Sequence, residues 1–151
     1  MKVSKEYRFE AAHRLRFHQG GCRNIHGHSY KLVVETEGGV QPTGPATGMV
    51  LDFKTLSNCV NSILEGDEET PFDHAIILNA ADPLVNILNQ MAEPLRIVLM
   101  NCEPTAENMA HMFAGLIQSK INLAFEGEVI PLITKVEVWE TAKAKAVWER
   151  G

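Results

Sequence analysis

Four histidines fall within the first 28 residues, and three of them stand out: His13, and the pair His26-Gly27-His28. On a strand, the two-residue period points both imidazoles of the pair to one side. Gly27 between them leaves the opposite face open to close approach. His13 closes a preceding alternating segment, so pairing of the two segments would make three rings converge. Three imidazoles around one ion, with a fourth position open, is the layout of catalytic zinc. Neutral imidazole also suits copper, iron and nickel. An H-x-H pair occurs without any metal too, and His18, in the intervening loop, is a competing ligand. His111 falls inside a helical pattern beside an apolar stripe and reads as a surface or structural histidine.

Cys22 lies four residues before His26, with Arg23 beside it. A cation and a nearby metal both favour the thiolate, the reactive form. Cys59 and Cys102 read as inert buried thiols. Asp73-His74 couples a carboxylate to an imidazole able to move protons near neutral pH, provided the fold carries it to the metal or to Cys22. Glu140 ends an otherwise apolar strand face. It is either solvent-facing at a strand end or a buried anchor for a ligand with paired N–H donors.

The elements that must position these groups follow from periodicity. Residues 2–14 alternate, with Val3, Lys5, Tyr7, Phe9, Ala11 and His13 on one face. Residues 26–36 alternate with His26, His28, Tyr30, Leu32 and Val34 together, and Gly20-Gly21 marks the connection. Asp52 caps a helix whose apolar residues are Phe53, Leu56, Val60, Ile63 and Leu64, and Gly66 is its stop. A second helix starts near Pro104 or Thr105, with Met109, Met112, Phe113, Leu116, Ile117 and Ile121 as its core stripe. Arg96–Met100 reads as a short strand and Asp82–Gln90 as one or two helical turns. Lys135–Glu140 and Ala144–Glu149 are strands joined at Ala142-Lys143. Glu37–Gly48 is a long turn, and Glu65–Pro71 is an acidic stretch ending in proline. The expected architecture is α+β, a four-stranded antiparallel sheet with helices on one face. Its exposed edges invite closure by oligomerisation.

The chain has 151 residues, the size of one domain, with 45% hydrophobic and 22% charged residues. A net charge of −5 argues against a nucleic-acid partner. Three cysteines without a CxxC spacing argue against a disulfide framework and fit a reducing compartment. No apolar stretch is long enough to span a bilayer. The charged segment Met1–Glu10 does not read as a secretory leader. The expectation is a cytoplasmic enzyme-sized domain over residues 1–151.

Several motifs then resemble those of the 6-pyruvoyltetrahydropterin synthase and 6-carboxytetrahydropterin synthase family. They are Phe9-Glu10-Ala11-Ala12-His13-Arg14-Leu15, Cys22-Arg23-Asn24-Ile25-His26-Gly27-His28-Ser29-Tyr30 and Leu51-Asp52-Phe53. Phe72-Asp73-His74 with Leu78-Asn79, Pro104-Thr105-Ala106-Glu107-Asn108 and Trp139-Glu140-Thr141 follow in the family's order. The resemblance implies the tunnelling fold, a ββααββ subunit forming trimers or a hexamer of two trimers, with the active site at the subunit interface. It implies His13, His26 and His28 as zinc ligands, Cys22 as catalytic cysteine, and Asp73 and His74 as its acid–histidine partners. It implies Glu140 as the pterin anchor, with Thr105 and Glu107 lining the pterin pocket. The three residues between Cys22 and His26 are similar to the bacterial 6-carboxytetrahydropterin synthases of queuosine and 7-deazapurine synthesis. The implied substrate is 7,8-dihydroneopterin triphosphate, with Arg14, Arg16 and Arg23 as candidate cations for its triphosphate. A pyruvoyl-type synthase and a non-catalytic zinc- or pterin-binding module are the alternatives. The stretch Asn79–Glu103 is longer than in the compact bacterial members and bears on the pocket rim or the oligomer surface.

Overall fold

Alternation along the first 37 residues builds two long strands, β1 (Lys2–His13) and β2 (His26–Glu37). The structure is a computed structural model that describes residues 1–66 and 71–151. The strands pair antiparallel in unbroken register, from Lys2 opposite Glu37 to His13 opposite His26. This register sends Tyr7, Phe9, Ala11 and His13 into the interior together with Tyr30, Leu32 and Val34. At Gly27 a Cβ would stand 3.2 Å from the Ala11 carbonyl oxygen, so glycine lets the two backbones approach this closely.

Helix α1 (Phe53–Asn61) starts where the Asp52 carboxylate accepts the Lys54 N–H at 2.7 Å. It runs into a π-type turn, Ser62–Gly66, and stops at Gly66 with φ +111°. Of the acidic stretch Glu65–Pro71, residues 67–70 lie outside the described residues. The chain resumes in β3 (Ala75–Asn79), a short helix α2 (Leu84–Asn89) and β4 (Ile97–Met100). Helix α3 (Ala106–Ala124) begins at Thr105, whose side chain accepts the Asn108 N–H at 3.3 Å. The hairpin β5 (Leu132–Thr141) and β6 (Ala144–Glu149) follows.

The four strands β1, β2, β5 and β6 form the expected antiparallel sheet, but the described sheet has six strands and is mixed, in the order β4-β3-β1-β2-β5-β6. β3 pairs parallel with the end of β1, and β4 pairs parallel with β3. The segment Ala75-Ile76-Ile77-Leu78 is a continuous apolar run without alternation, so periodicity does not mark it as a strand. The reason is two-sided burial. Ala75 and Ile77 join the main core, whereas Leu78, with Ile76, packs with Val85 and Leu88 of α2 in a second cluster. Helices α1 and α3 cover one face, as expected, and α2 covers the other face of the two added strands. The stretch 79–103 is therefore a structured extension of the sheet.

The main core lies between the sheet and α1 and α3. Phe9 stacks on Tyr30 at 4.9 Å and meets Phe113 edge-on at 5.8 Å. Among the described residues no helix is long and apolar enough to cross a membrane.

Candidate metal centre and active site

The β1–β2 register sets His13 opposite His26 and Ala11 opposite His28. The three histidines each offer a ring nitrogen within 4.8 Å of the others. His13 is 1% exposed. Its Nδ1–H donates to the Pro104 carbonyl at 2.7 Å, and His26 Nδ1–H donates to the Asn24 carbonyl at 2.9 Å. Those carbonyls fix both tautomers and leave both Nε2 atoms as acceptors. The two Nε2 atoms stand 3.0 Å apart. Two lone pairs facing each other at that distance repel unless a cation lies between them. His28 Nε2 is buried and has no hydrogen-bond partner among the described residues. Two acceptor nitrogens and the buried His28 Nε2, all within 4.8 Å of one another, fit a metal ion. Burial pushes the His13 imidazole below its ordinary pKa, against the raising effects of the Pro104 carbonyl and Glu140. The ring is therefore neutral near pH 7, the form that ligates.

Glu140 sits at an irregularity in the β5–β6 pairing, between Trp139 and Thr141. Such a bulge re-aims a side chain, and here the carboxylate reaches 3.7 Å from His13 Nε2. Thr105, Glu107 and Glu140 line one open cavity with Leu15, Ala146 and Lys145, of about 320 Å³. Tyr30, wholly buried, meets the His13 and His28 rings edge-on, and burial pushes its hydroxyl far above the usual tyrosine value. Its oxygen has no hydrogen-bond partner among the described residues.

Cys22 lies in a 3₁₀ turn (Gly21–Arg23) and is half-buried. Its carbonyl accepts the Leu15 N–H at 2.9 Å, which folds the loop back on the end of β1. Asp73 and His74 are linked at 2.9 Å, and the Asp73 carboxylate also accepts the Glu10 N–H at 2.8 Å. Burial alone would raise the Asp73 carboxyl, but the Glu10 amide, His74 and Arg96 outweigh it and hold it below the usual range. His74 has φ +60°, a backbone conformation uncommon outside glycine, and its side chain is 71% exposed. It lines a cleft with Glu10, Ala12, Ser29 and His28 of the histidine group. None of the partners of this pair belongs to the Cys22 loop.

Three sequence readings change. His18 is not part of the histidine group: its Nδ1 accepts the Gly20 N–H at 2.8 Å within its own loop. Cys102 is exposed, while Cys59 is buried as expected. Arg14 and Arg16, candidate triphosphate cations, are committed to carboxylates. Arg14 Nε donates to Asp82 at 2.7 Å and Arg16 Nε to Glu103 at 2.7 Å. Arg23 stays exposed. The Pro104 and Asn24 carbonyls were invisible to sequence reading, because a backbone acceptor carries no residue signature. His111 rests on the surface of α3 with its ring 6.3 Å from that of Trp148.

A mixed sheet backed by two helices, with three convergent histidines where its two longest strands meet, defines an α+β scaffold with a candidate metal centre. The family model described as 6-pyruvoyl tetrahydropterin synthase matches residues 2–151. A Haemophilus influenzae protein named 6-carboxy-5,6,7,8-tetrahydropterin synthase is 30% identical, over 93% of this chain and 92% of the relative. An Aquifex aeolicus protein of the same name is 33% identical, over 98% of this chain and 97% of the relative. Among solved structures, an uncharacterized Wolinella succinogenes protein superposes with a TM-score of 0.77 at 23% identity, covering 100% of this chain and 98% of that one. The Caenorhabditis elegans 6-pyruvoyl tetrahydropterin synthase superposes with a TM-score of 0.65, also at 23% identity, over 100% of this chain and 96% of that one. The chain belongs to the 6-pyruvoyl tetrahydropterin synthase family, a family of lyase enzymes.

Proposed function

We propose that residues 1–151 act as one domain of a zinc-dependent lyase. It converts 7,8-dihydroneopterin triphosphate to 6-carboxy-5,6,7,8-tetrahydropterin, releasing acetaldehyde and triphosphate for queuosine and 7-deazapurine synthesis in the cytoplasm. The convergence of three imidazole nitrogens, with two tautomers set by backbone carbonyls, is the observation that carries this reading. The full-length similarity to relatives named 6-carboxy-5,6,7,8-tetrahydropterin synthase supports the product.

In this reading His13, His26 and His28 hold the zinc. When bound, it supplies Lewis acidity toward the hydroxyls of the substrate side chain. Glu140 accepts N–H bonds from the pterin ring and fixes its register over the site, while Thr105 and Glu107 bound the same cavity. Cys22, as thiolate, moves a proton between side chain and ring. Asp73, ionised at neutral pH, accepts from His74 Nδ1 and leaves the other ring nitrogen to exchange a proton with substrate. Ring reduction is balanced by side-chain oxidation, so the reaction uses no redox cofactor.

The exposure of His74 supports an active site shared between subunits, with the pair serving a neighbouring copy. Unpaired edges support a trimer, or two stacked trimers, among them the outer edge of β6 and the part of β1 that precedes its three-residue pairing with β3. Mass spectrometry of the products from 7,8-dihydroneopterin triphosphate tests the proposal. The expected products are 6-carboxytetrahydropterin, acetaldehyde and triphosphate. A diketone side chain would make the enzyme pyruvoyl-type, and a zinc-loaded protein that releases no triphosphate would be a binding module.

A further inference from the structure

The loop that carries Cys22 has almost no apolar anchorage. From Arg14 to Ile25 no residue is buried, and Phe17 is 76% exposed. A loop without buried contacts samples many conformations unless polar ties hold it. The ties run to the 79–103 extension. Glu103 Oε1 accepts from Arg16 Nε at 2.7 Å and from Asn79 Nδ2 at 2.9 Å, and its Oε2 accepts the Arg16 backbone N–H at 3.2 Å. Arg16 Nη1 donates to the Ala81 carbonyl at 2.7 Å, and its guanidinium lies over the Phe17 ring at 4.5 Å. In parallel, Arg14 Nε donates to Asp82 Oδ2 at 2.7 Å, while Asp82 Oδ1 accepts the Leu84 N–H at 2.9 Å, the first amide of α2. The Asp82 side chain is 1% exposed.

Glu103 is also one residue from Pro104, the carbonyl that orients His13. Its own carbonyl accepts from Asn108 Nδ2 and from the Thr105 N–H, both at 2.8 Å, which fixes the entry into α3. One residue therefore joins three parts of the site. Its carboxylate holds Arg16, next to Leu15, whose N–H grips the Cys22 carbonyl. Its main chain sets Pro104 and the Thr105 end of the cavity.

We propose that Glu103 is a positioning residue that, through Arg16, holds the Cys22 loop at a set distance from the histidine centre and the Thr105–Glu140 cavity. The assignment rests on the lyase reading above and deepens it. A guanidinium fork constrains direction as well as distance, so lysine cannot replace Arg16 at both Glu103 and Ala81. The function of the 79–103 extension is then to order the reactive loop.

The test compares the zinc-loaded parent with Glu103→Ala, Glu103→Gln, Arg16→Ala and Arg16→Lys. Three readouts are taken: kcat and KM, the rate of Cys22 alkylation by iodoacetamide resolved by peptide mapping, and Tm. In Glu103→Ala, kcat is expected to fall about 10- to 100-fold, the range for partners that orient a reactive site, with KM within about threefold and the Cys22 alkylation rate changed. Glu103→Gln keeps an acceptor for Arg16 and is expected to recover part of kcat. Arg16→Ala is expected to match Glu103→Ala, and the double variant to be no worse than either alone. A Glu103→Ala protein with kcat and Cys22 alkylation within twofold of the parent would overturn the proposal. So would parallel losses of Tm and activity with no recovery in Glu103→Gln. If the parent shows no turnover, the lyase reading fails by itself, and the alkylation comparison still decides whether Glu103 orders the Cys22 loop.

Discussion

At the residue scale, two backbone carbonyls prepare the three-histidine cluster. Pro104 and Asn24 each take one Nδ1–H, so two opposite nitrogens must be acceptors, and the unpartnered His28 Nε2 completes the group. Three ligands binding cooperatively do not survive loss of one. His26→Ala is expected to purify with less than about a tenth of the parent's metal content by elemental analysis, given the 10- to 100-fold affinity losses seen even for partners outside the ligand set. Cys22→Ala is expected to keep its metal and lose turnover. Unchanged metal in His26→Ala would reject the ligand set, and full activity in Cys22→Ala would reject the thiol's role. The thiol at Cys59 differs: burial raises its pKa and keeps it inert.

Elements carry the precision of the site. β1 and β2 hold the histidines because the register is unbroken and Gly27 admits the Ala11 carbonyl. Glu140 reaches them because β5 is irregular at its end. Helix α1, in contrast, contributes packing through Leu56, Cys59 and Val60 and none of the proposed site residues. Its cap is separable from function for that reason. Asp52→Ala removes the acceptor of the Lys54 N–H and is expected to cost about 1 kcal/mol in denaturant unfolding. Metal content and turnover should stay at the parent level. A loss of metal in this variant would tie α1 to the site.

For the whole molecule, the reverse face of the sheet is a charged surface. Lys2 lies 3.0 Å from Glu35, and Lys145 lies 3.0 Å from Glu137. Hydrogen bonding from Lys2 holds the Glu35 carboxyl low. Burial would raise Glu137, but Lys145 and Trp139 outweigh it and hold it low as well. With Asp73, three carboxyls titrate below their unfolded values. Folded pKa below unfolded pKa means that their stabilisation is complete above the unfolded value, near 4. It is lost as pH falls through the folded values. Metal-free protein should show a Tm that drops below about pH 4, and Asp73→Asn should flatten that drop. A Tm difference between parent and Asp73→Asn that stays constant from pH 6 to pH 3 would refute the linkage.

Local patterns in the chain were enough for the long strands, both main helices with the cap at Asp52 and a start near Pro104 or Thr105, and the stop at Gly66. Each is written in a window of about ten residues, where periodicity and capping act. The H-x-H spacing and a histidine at the end of the preceding strand likewise forecast a convergence that antiparallel register then enforces. Tertiary structure decided the rest. β3 became a strand because both its faces are covered, which no alternation records. Arg14 and Arg16, cations in the sequence, became ties to Asp82 and Glu103 because partners 68 and 87 residues away fold against them. Asp73 took the Glu10 N–H as a partner, 63 residues away, because β3 joins the sheet beside β1. Charge and proton chemistry are properties of residue type. Which group they act on is a property of distance, and distance between remote residues exists only in the folded chain.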